Sequence, residues 1–218
     1  MSQRGEELEK NLRTVESEVS PYSPTLIVVT KTYPISDVEI LSGLGVENFG
    51  ENRSSEGIEK SAVIPGRWHY QGEIQSKKIR EILSWASAIH SLDNLGHAQK
   101  IQKCLSDSGG RIDIFLQLSL DGDPERGGVV ENELFELATE IAGMPSINLL
   151  GIMSVPPVSQ EPAAAFAEIG AIHKRFIAEF PTALSLSAGM SGDYMIALDH
   201  GATHIRVGSK ILGSRQYH

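Results

Sequence analysis

Strand-like runs alternate with helix-like runs along the whole chain, and this alternation constrains the fold more than any other feature. An apolar, β-branched run starts at Thr25 and ends on Lys31, closed by Pro34. Further apolar or β-rich pieces stand at 46–49, 67–70, 88–90, 112–118, 147–153, 183–186 and 203–207. Helical candidates lie between them at 35–44, 53–63, 74–83, 95–105, 132–142, 163–180 and 193–199. Strand followed by helix, repeated, implies parallel strands joined by helical crossovers. About eight such units is the number that closes a (β/α)8 TIM-type barrel, and 218 residues is near the short end for that fold. A doubly wound open sheet would alternate in the same way, but no G-x-G-x-x-G follows the first strand. Leu8, Leu12 and Val15 stand at helical spacing in the polar stretch 5–19, which adds an amphipathic N-terminal helix. No Gly/Ser linker divides the chain, and the proline-rich 154–162 follows a strand end, as a rim loop would. The expectation is one α/β barrel domain over residues 1–218.

Charge and cysteine usage narrow the function. A formal net charge of −9 disfavours a nucleic-acid or anionic-membrane surface. Any anionic ligand must then be held by a few local groups. The single cysteine, Cys104, excludes an internal disulfide and reads as a small buried hydrophobe in a reducing, cytoplasmic setting. The charged N-terminus lacks the apolar core of a secretory signal, and no apolar run reaches the roughly 18 residues a membrane helix needs. No His/Cys cluster suggests zinc, and D-G-D at 121–123 lacks the other ligands of a calcium loop, so no metal is expected. Trp68 and Trp85 read as packing residues.

In a barrel the ligand sits at the rim formed by the strand carboxyl ends. Five segments fall there: Lys31, F-G-E-N at 49–52, W-H-Y-Q-G at 68–72, S-A-G-M-S at 187–191 and V-G-S at 207–209. A lysine at a strand end ordinarily snorkels outward, but its coincidence with the other four points to a working residue. The small residues around Gly189 and Gly208 each precede a helix candidate, so their backbone N–H groups suit a phosphate. A lysine on the first strand and a phosphate cradle on the last suggest an aldehyde-bearing phosphate cofactor held as a Schiff base, with Arg206 as the neighbouring cation.

The set V-T-K-T-Y-P, F-G-E-N, W-H-Y-Q-G-E-I-Q-S-K-K, L-S-A-G-M-S-G-D and H-I-R-V-G-S-K-I-L-G-S-R is similar, in order and spacing, to the pyridoxal 5′-phosphate homeostasis family. It runs from about Thr25 to Arg215. The resemblance implies a barrel like the N-terminal domain of alanine racemase, with pyridoxal 5′-phosphate (PLP) bound covalently to Lys31. It also implies a phosphate held by Gly189, Met190, Ser191, Gly208 and Ser209, Arg206 against the pyridine nitrogen, and Asn52 lining the ring pocket. Ser55, Lys78, Ala188 and the 123–128 segment depart from the family pattern.

Racemases that share this barrel carry a second domain supplying an opposite-face tyrosine, and two-base racemisation needs acids on both faces. Lys31 serves one face. His69, Tyr70 and His204 are candidates for the other by position only. The leading expectation is a PLP carrier or regulator, with PLP-dependent apo-enzymes as partners. A weak amino-acid racemase is the alternative, and a PLP-free Schiff-base aldolase ranks below both.

Overall fold

A computed structural model describes residues 2–213. Its strands are β1 (Thr25–Val29), β2 (Asn48–Glu51), β3 (Arg67–Tyr70), β4 (Ala88–Leu92), β5 (Ile112–Leu118), β6 (Ile147–Ser154), β7 (Ser185–Ser187) and β8 (His204–Val207). Each pairs in parallel with the next, and β8 closes back onto β1 through Thr25–His204 to Val28–Val207. The expected closed barrel is therefore what forms. Its helices are α1 (Gln3–Val19), α2 (Ile35–Gly43), α3 (Ser54–Ser61), α4 (Ile79–Leu83), α5 (Leu95–Ser106), α6 (Glu131–Ala142), α7 (Pro162–Glu179), α8 (Tyr194–Asp199) and α9 (Ser209–Leu212). Among the described residues no helix is long and apolar enough to cross a membrane.

The expected N-terminal helix has a structural task. The helix after β8 is only four residues long, too short to cover the seam where the barrel closes. α1 supplies that wall. Ser2 caps it by accepting from the Gly5 N–H, and its buried stripe of Leu8, Leu12, Val15 and Val19 follows the helical period. Arg4 donates to the Asp37 carboxylate on α2 and to the Leu212 carbonyl at the end of α9, while Asn11 donates to the Ile211 carbonyl.

Strand residues alternate between the two faces of the barrel wall. Outward-facing Phe49 and Trp68 stack at 5.0 Å, and Trp85 meets Trp68 and Tyr70 edge-on beneath α3 and α4. Both tryptophans thus pack between sheet and helices. Cys104 is only partly buried. The inner face is unusual, because barrel interiors are ordinarily filled by branched aliphatic residues. Here Asn48, His69, His90, Ser187 and Arg206 meet across the axis through hydrogen bonds, and Phe115 stacks on His90 at 4.2 Å.

Burial keeps both imidazoles neutral: it brings His69 down to about 3 and His90 well below the ordinary histidine range. The unfolded chain binds these protons near pH 6.5 and the folded chain does not, so stability is full above that pH and falls as pH drops toward 3. His69 alone is expected to remove about 2 kcal/mol between pH 7 and pH 5. Urea unfolding at the two pH values reads this, and an unchanged midpoint would contradict it.

Candidate functional site

The site begins at a turn. β1 ends at Val29, short of the Lys31 that closes the β-branched run, so Lys31 lies in a tight turn past the strand. The Tyr33 N–H donates to the Thr30 carbonyl at 3.0 Å, and Thr32 adopts φ +70. That left-handed conformation is costly for a β-branched residue and persists only where surroundings impose it.

The surroundings are a buried ionic cluster. The Thr32 N–H donates to the Glu56 carboxylate at 2.6 Å. The Lys60 ammonium donates to the Thr30 carbonyl at 2.7 Å and to Glu51 at 2.6 Å, and it reaches Glu56 at 3.3 Å. The Thr30 hydroxyl donates to the same Glu51 oxygen at 2.6 Å. Lys60 is 3% exposed and Glu51 is fully buried. Burial pushes the Glu51 carboxyl up, against the pull of Lys60 and Thr30. The glutamate of F-G-E-N and a lysine of α3 therefore clamp the turn that presents Lys31. Sequence reading missed this pair. The available signal was Lys60 itself, which stands with Ser54 and Gly57 on the buried stripe of α3.

Above the turn, at the carboxyl rim, a cavity of about 340 Å³ opens. Of the residues singled out in the sequence, Lys31, Asn52, Met190, Ser191, Arg206, Gly208 and Ser209 line it, drawn from the ends of four strands. Gly189 stands behind the wall. Its φ is +91, and a Cβ there would lie 2.7 Å from the Ala197 Cβ and 2.8 Å from the Tyr194 Cα, so it seats the loop on α8. Gly72 plays a similar part on the β3 side, where a Cβ would fall 2.1 Å from the Asn52 carbonyl oxygen. Gln71, from the rim segment 68–72, and Tyr33 and Gly192, which stand in the motifs without an individual role, also line the cavity.

The β7 and β8 loops are joined through one hydroxyl. Ser191 Oγ accepts from the Gly208 N–H at 3.1 Å and the Lys210 N–H at 3.4 Å. The Met190 N–H is taken by Asp193 at 2.6 Å. Among the described residues the N–H groups of Ser191, Gly192 and Ser209 make no hydrogen bond. These donors suit an anion. Arg206, 5% exposed, is held by Ser187 and by the Ser154 carbonyl. Burial lowers its pKa to about 10, which leaves it a cation at neutral pH. Gln71 lines the cavity, and its side-chain nitrogen is buried without a hydrogen-bond partner among the described residues, a donor left to be satisfied. Unpaired amides at one end, an orphaned donor and a lysine at the other fit a small phosphate ester that carries an aldehyde.

The remaining candidates lie elsewhere. His69 is spent on Asn48 and His90 inside the barrel. Tyr70 donates to the Glu73 carbonyl, and burial raises it to about 12. His204 faces Phe115 and contacts Thr203. None of the three lines the cavity. Of the positions that depart from the family pattern, Ser55 is exposed, Lys78 pairs with Glu81 and Ala188 is fully buried. In the 123–128 segment, Arg126 donates to the Val155 and Pro156 carbonyls and so ties that loop to the proline-rich rim loop. Asp121 closes a turn, accepting from Ser119 and the Asp123 N–H. The final motif residue, Arg215, lies outside the described residues.

Residues 4–216 match the family described as alanine racemase, N-terminal domain. A pyridoxal phosphate homeostasis protein of Corynebacterium glutamicum is 39% identical over 201 residues, covering 88% of this chain and 91% of its own. A protein of the same name from Mycobacterium leprae is 33% identical, covering 96% and 93%. Among solved structures, PipY of Synechococcus elongatus with PLP bound superposes with a TM-score of 0.87 at 28% identity, covering 94% of this chain and all of that one. Alanine racemase of Clostridium difficile shares the fold, with a TM-score of 0.82 at 17% identity. This chain covers 58% of that longer protein.

Proposed function

Because the chain belongs to the pyridoxal phosphate homeostasis protein family, within the alanine racemase N-terminal domain family, we propose that it binds PLP in the rim cavity and serves intracellular PLP homeostasis as a carrier. Lys31 is the covalent anchor in this reading. One observation carries it: separate strand ends bring a lysine, an arginine, an asparagine and unpaired backbone amides into one cavity of about 340 Å³. When bound, PLP supplies an aldehyde that reacts with amines and a ring that withdraws electrons. Ser191, Gly192 and Ser209 would hold the phosphate, while Asn52 and Gln71 would line the ring. Arg206 beside the ring nitrogen makes a second positive charge there costly, which weakens the ring as an electron sink.

The same wall favours a carrier over a racemase. Among the described residues, its ionisable groups are Lys31, Tyr33 and Arg206. An arginine is not a practical base at neutral pH. The Tyr33 hydroxyl donates to the Gly213 carbonyl at 2.6 Å, so its proton is already engaged. PLP-dependent apo-enzymes are the proposed recipients. The loaded protein, mixed with an aminotransferase stripped of PLP, is expected to restore its activity, and L-alanine in deuterated water is expected to show no steady inversion. Turnover to D-alanine at ordinary enzyme rates, abolished by Lys31→Ala, would replace the carrier with a racemase.

A further inference from the structure

The polar interior of the barrel has a direction. Arg206 Nη1 donates to Ser187 Oγ and to the Ser187 carbonyl, both at 2.8 Å. Ser187 Oγ lies 2.9 Å from His90 Nδ1, His90 Nε2 lies 2.8 Å from His69 Nδ1, and His69 Nε2 lies 3.1 Å from Asn48 Oδ1. All three strand residues between the ends are buried: Ser187 and His90 fully, His69 at 1% exposure. The run crosses β8, β7, β4, β3 and β2, ending at the first residue of β2, at the end of the barrel away from the cavity.

A guanidinium has only donors. Ser187 Oγ must accept from it, and its own proton then has His90 Nδ1 as the acceptor within reach. A neutral His90 that accepts at Nδ1 carries its proton on Nε2 and donates to His69 Nδ1. His69 in turn carries its proton on Nε2 and donates to Asn48 Oδ1, which can only accept. Every buried group is satisfied in this order. In the reverse order the Ser187 proton has no acceptor among these groups, a penalty that native interiors avoid.

We infer that Ser187, His90 and His69 form a one-way hydrogen-bond relay that positions Arg206, with every proton pointing away from the cavity. They are positioning residues. A hydroxyl that donates becomes a stronger acceptor, so the relay tightens the grip on the guanidinium. Ser187 takes both Nη1 protons and the Ser154 carbonyl one from Nη2, which leaves the Nε proton and one Nη2 proton for a ligand. The neutrality of both imidazoles, held by burial, keeps a competing charge off Arg206. A polar interior of this kind replaces apolar residues that would pack at least as well, which is consistent with a role in the site rather than in stability. The role of Arg206 toward a ring nitrogen rests on the PLP reading above; the direction of the relay does not.

The test is ¹⁵N NMR of the histidine rings in the full-length chain, with and without PLP. His69 and His90 are both expected neutral with the proton on Nε2, in both states. Ser187→Ala is expected to shift the His90 Nδ1 resonance, because that nitrogen loses the hydrogen bond it accepts while Nε2 keeps its proton, and to raise the PLP dissociation constant about tenfold. Ser187→Thr, which keeps the hydroxyl, restores both. Should Ser187→Ala fail to fold, Asn48→Ala reads the direction from the far end, with a shift of the His69 Nε2–H resonance as that group loses its acceptor while the proton stays on Nε2. A proton on Nδ1 of His90 in the parent chain would overturn the relay, as would Ser187→Ala with an unchanged His90 Nδ1 resonance and unchanged PLP affinity. A parent chain that takes up no PLP would overturn the functional reading alone, while the tautomers still decide the relay.

Discussion

Lys60→Met is expected to destabilise the folded chain by about 3–5 kcal/mol, because it leaves the buried Glu51 carboxylate without its cation. For a chain of this size that corresponds to a fall in Tm on the order of 10 °C. The geometry makes the loss specific. Lys60 bridges the Thr30 carbonyl, Glu51 and Glu56, and Glu56 in turn holds the Thr32 N–H at the strained φ of +70. The turn that presents Lys31 should therefore relax, and the yield of the covalent PLP adduct should fall beyond what the stability loss explains. Adding Glu51→Gln removes the stranded charge and is expected to recover at least about 1 kcal/mol. Urea unfolding of the two single variants and the double variant completes the cycle. A loss below about 1 kcal/mol for Lys60→Met would show that the cluster does not hold the turn.

Ser191→Asp is expected to weaken PLP binding about 100-fold or more while leaving the fold intact. The Ser191 oxygen joins the β7 and β8 loops by accepting from Gly208 and Lys210, which a carboxylate can also do. The new charge would face a dianionic phosphate in the amide cradle, and two like charges at close range on a partly desolvated surface cost several kcal/mol. Ser191→Ala keeps the cradle neutral and is expected to lose far less. Equilibrium dialysis with PLP compares the three proteins. Equal affinity for Ser191→Asp and the parent would place the phosphate somewhere other than this pair of loops.

Local pattern carried the barrel. β3 and β5 occupy the stretches expected of them, β3 by two aromatic residues at alternate positions and β5 by a run of apolar ones. β1 is the instructive exception. Its β-branched run extends through Thr30, but the strand stops at Val29 because α3, through Lys60 and Glu56, fixes the following turn by contacts that no window around Lys31 contains. Likewise 74–83 reads as one helix, whereas a 3-10 turn at Ser76–Lys78 precedes α4. Gly72 lies close against Asn52 at the start of that crossover, and Gln75 is still extended. The rim residues were legible because barrel topology sends every strand end to one face. Glu51 was legible only as part of a motif, and its partner nine residues on was not. The relay was hidden for a related reason: His69 and His90 sit on different strands, and only closure of the barrel brings them within 2.8 Å.

Covalent attachment of PLP to Lys31, as proposed, would leave a visible chromophore on the protein. The visible absorbance of the full-length protein loaded with PLP, followed by borohydride reduction and peptide mass mapping, beside Lys31→Ala, reads it. Expected are a visible band in the parent, its absence in Lys31→Ala, and a reduced pyridoxyl mass on the peptide that contains Lys31. A colourless parent that cannot be loaded, or a pyridoxyl mass on another lysine with Lys31 unmodified, would contradict it.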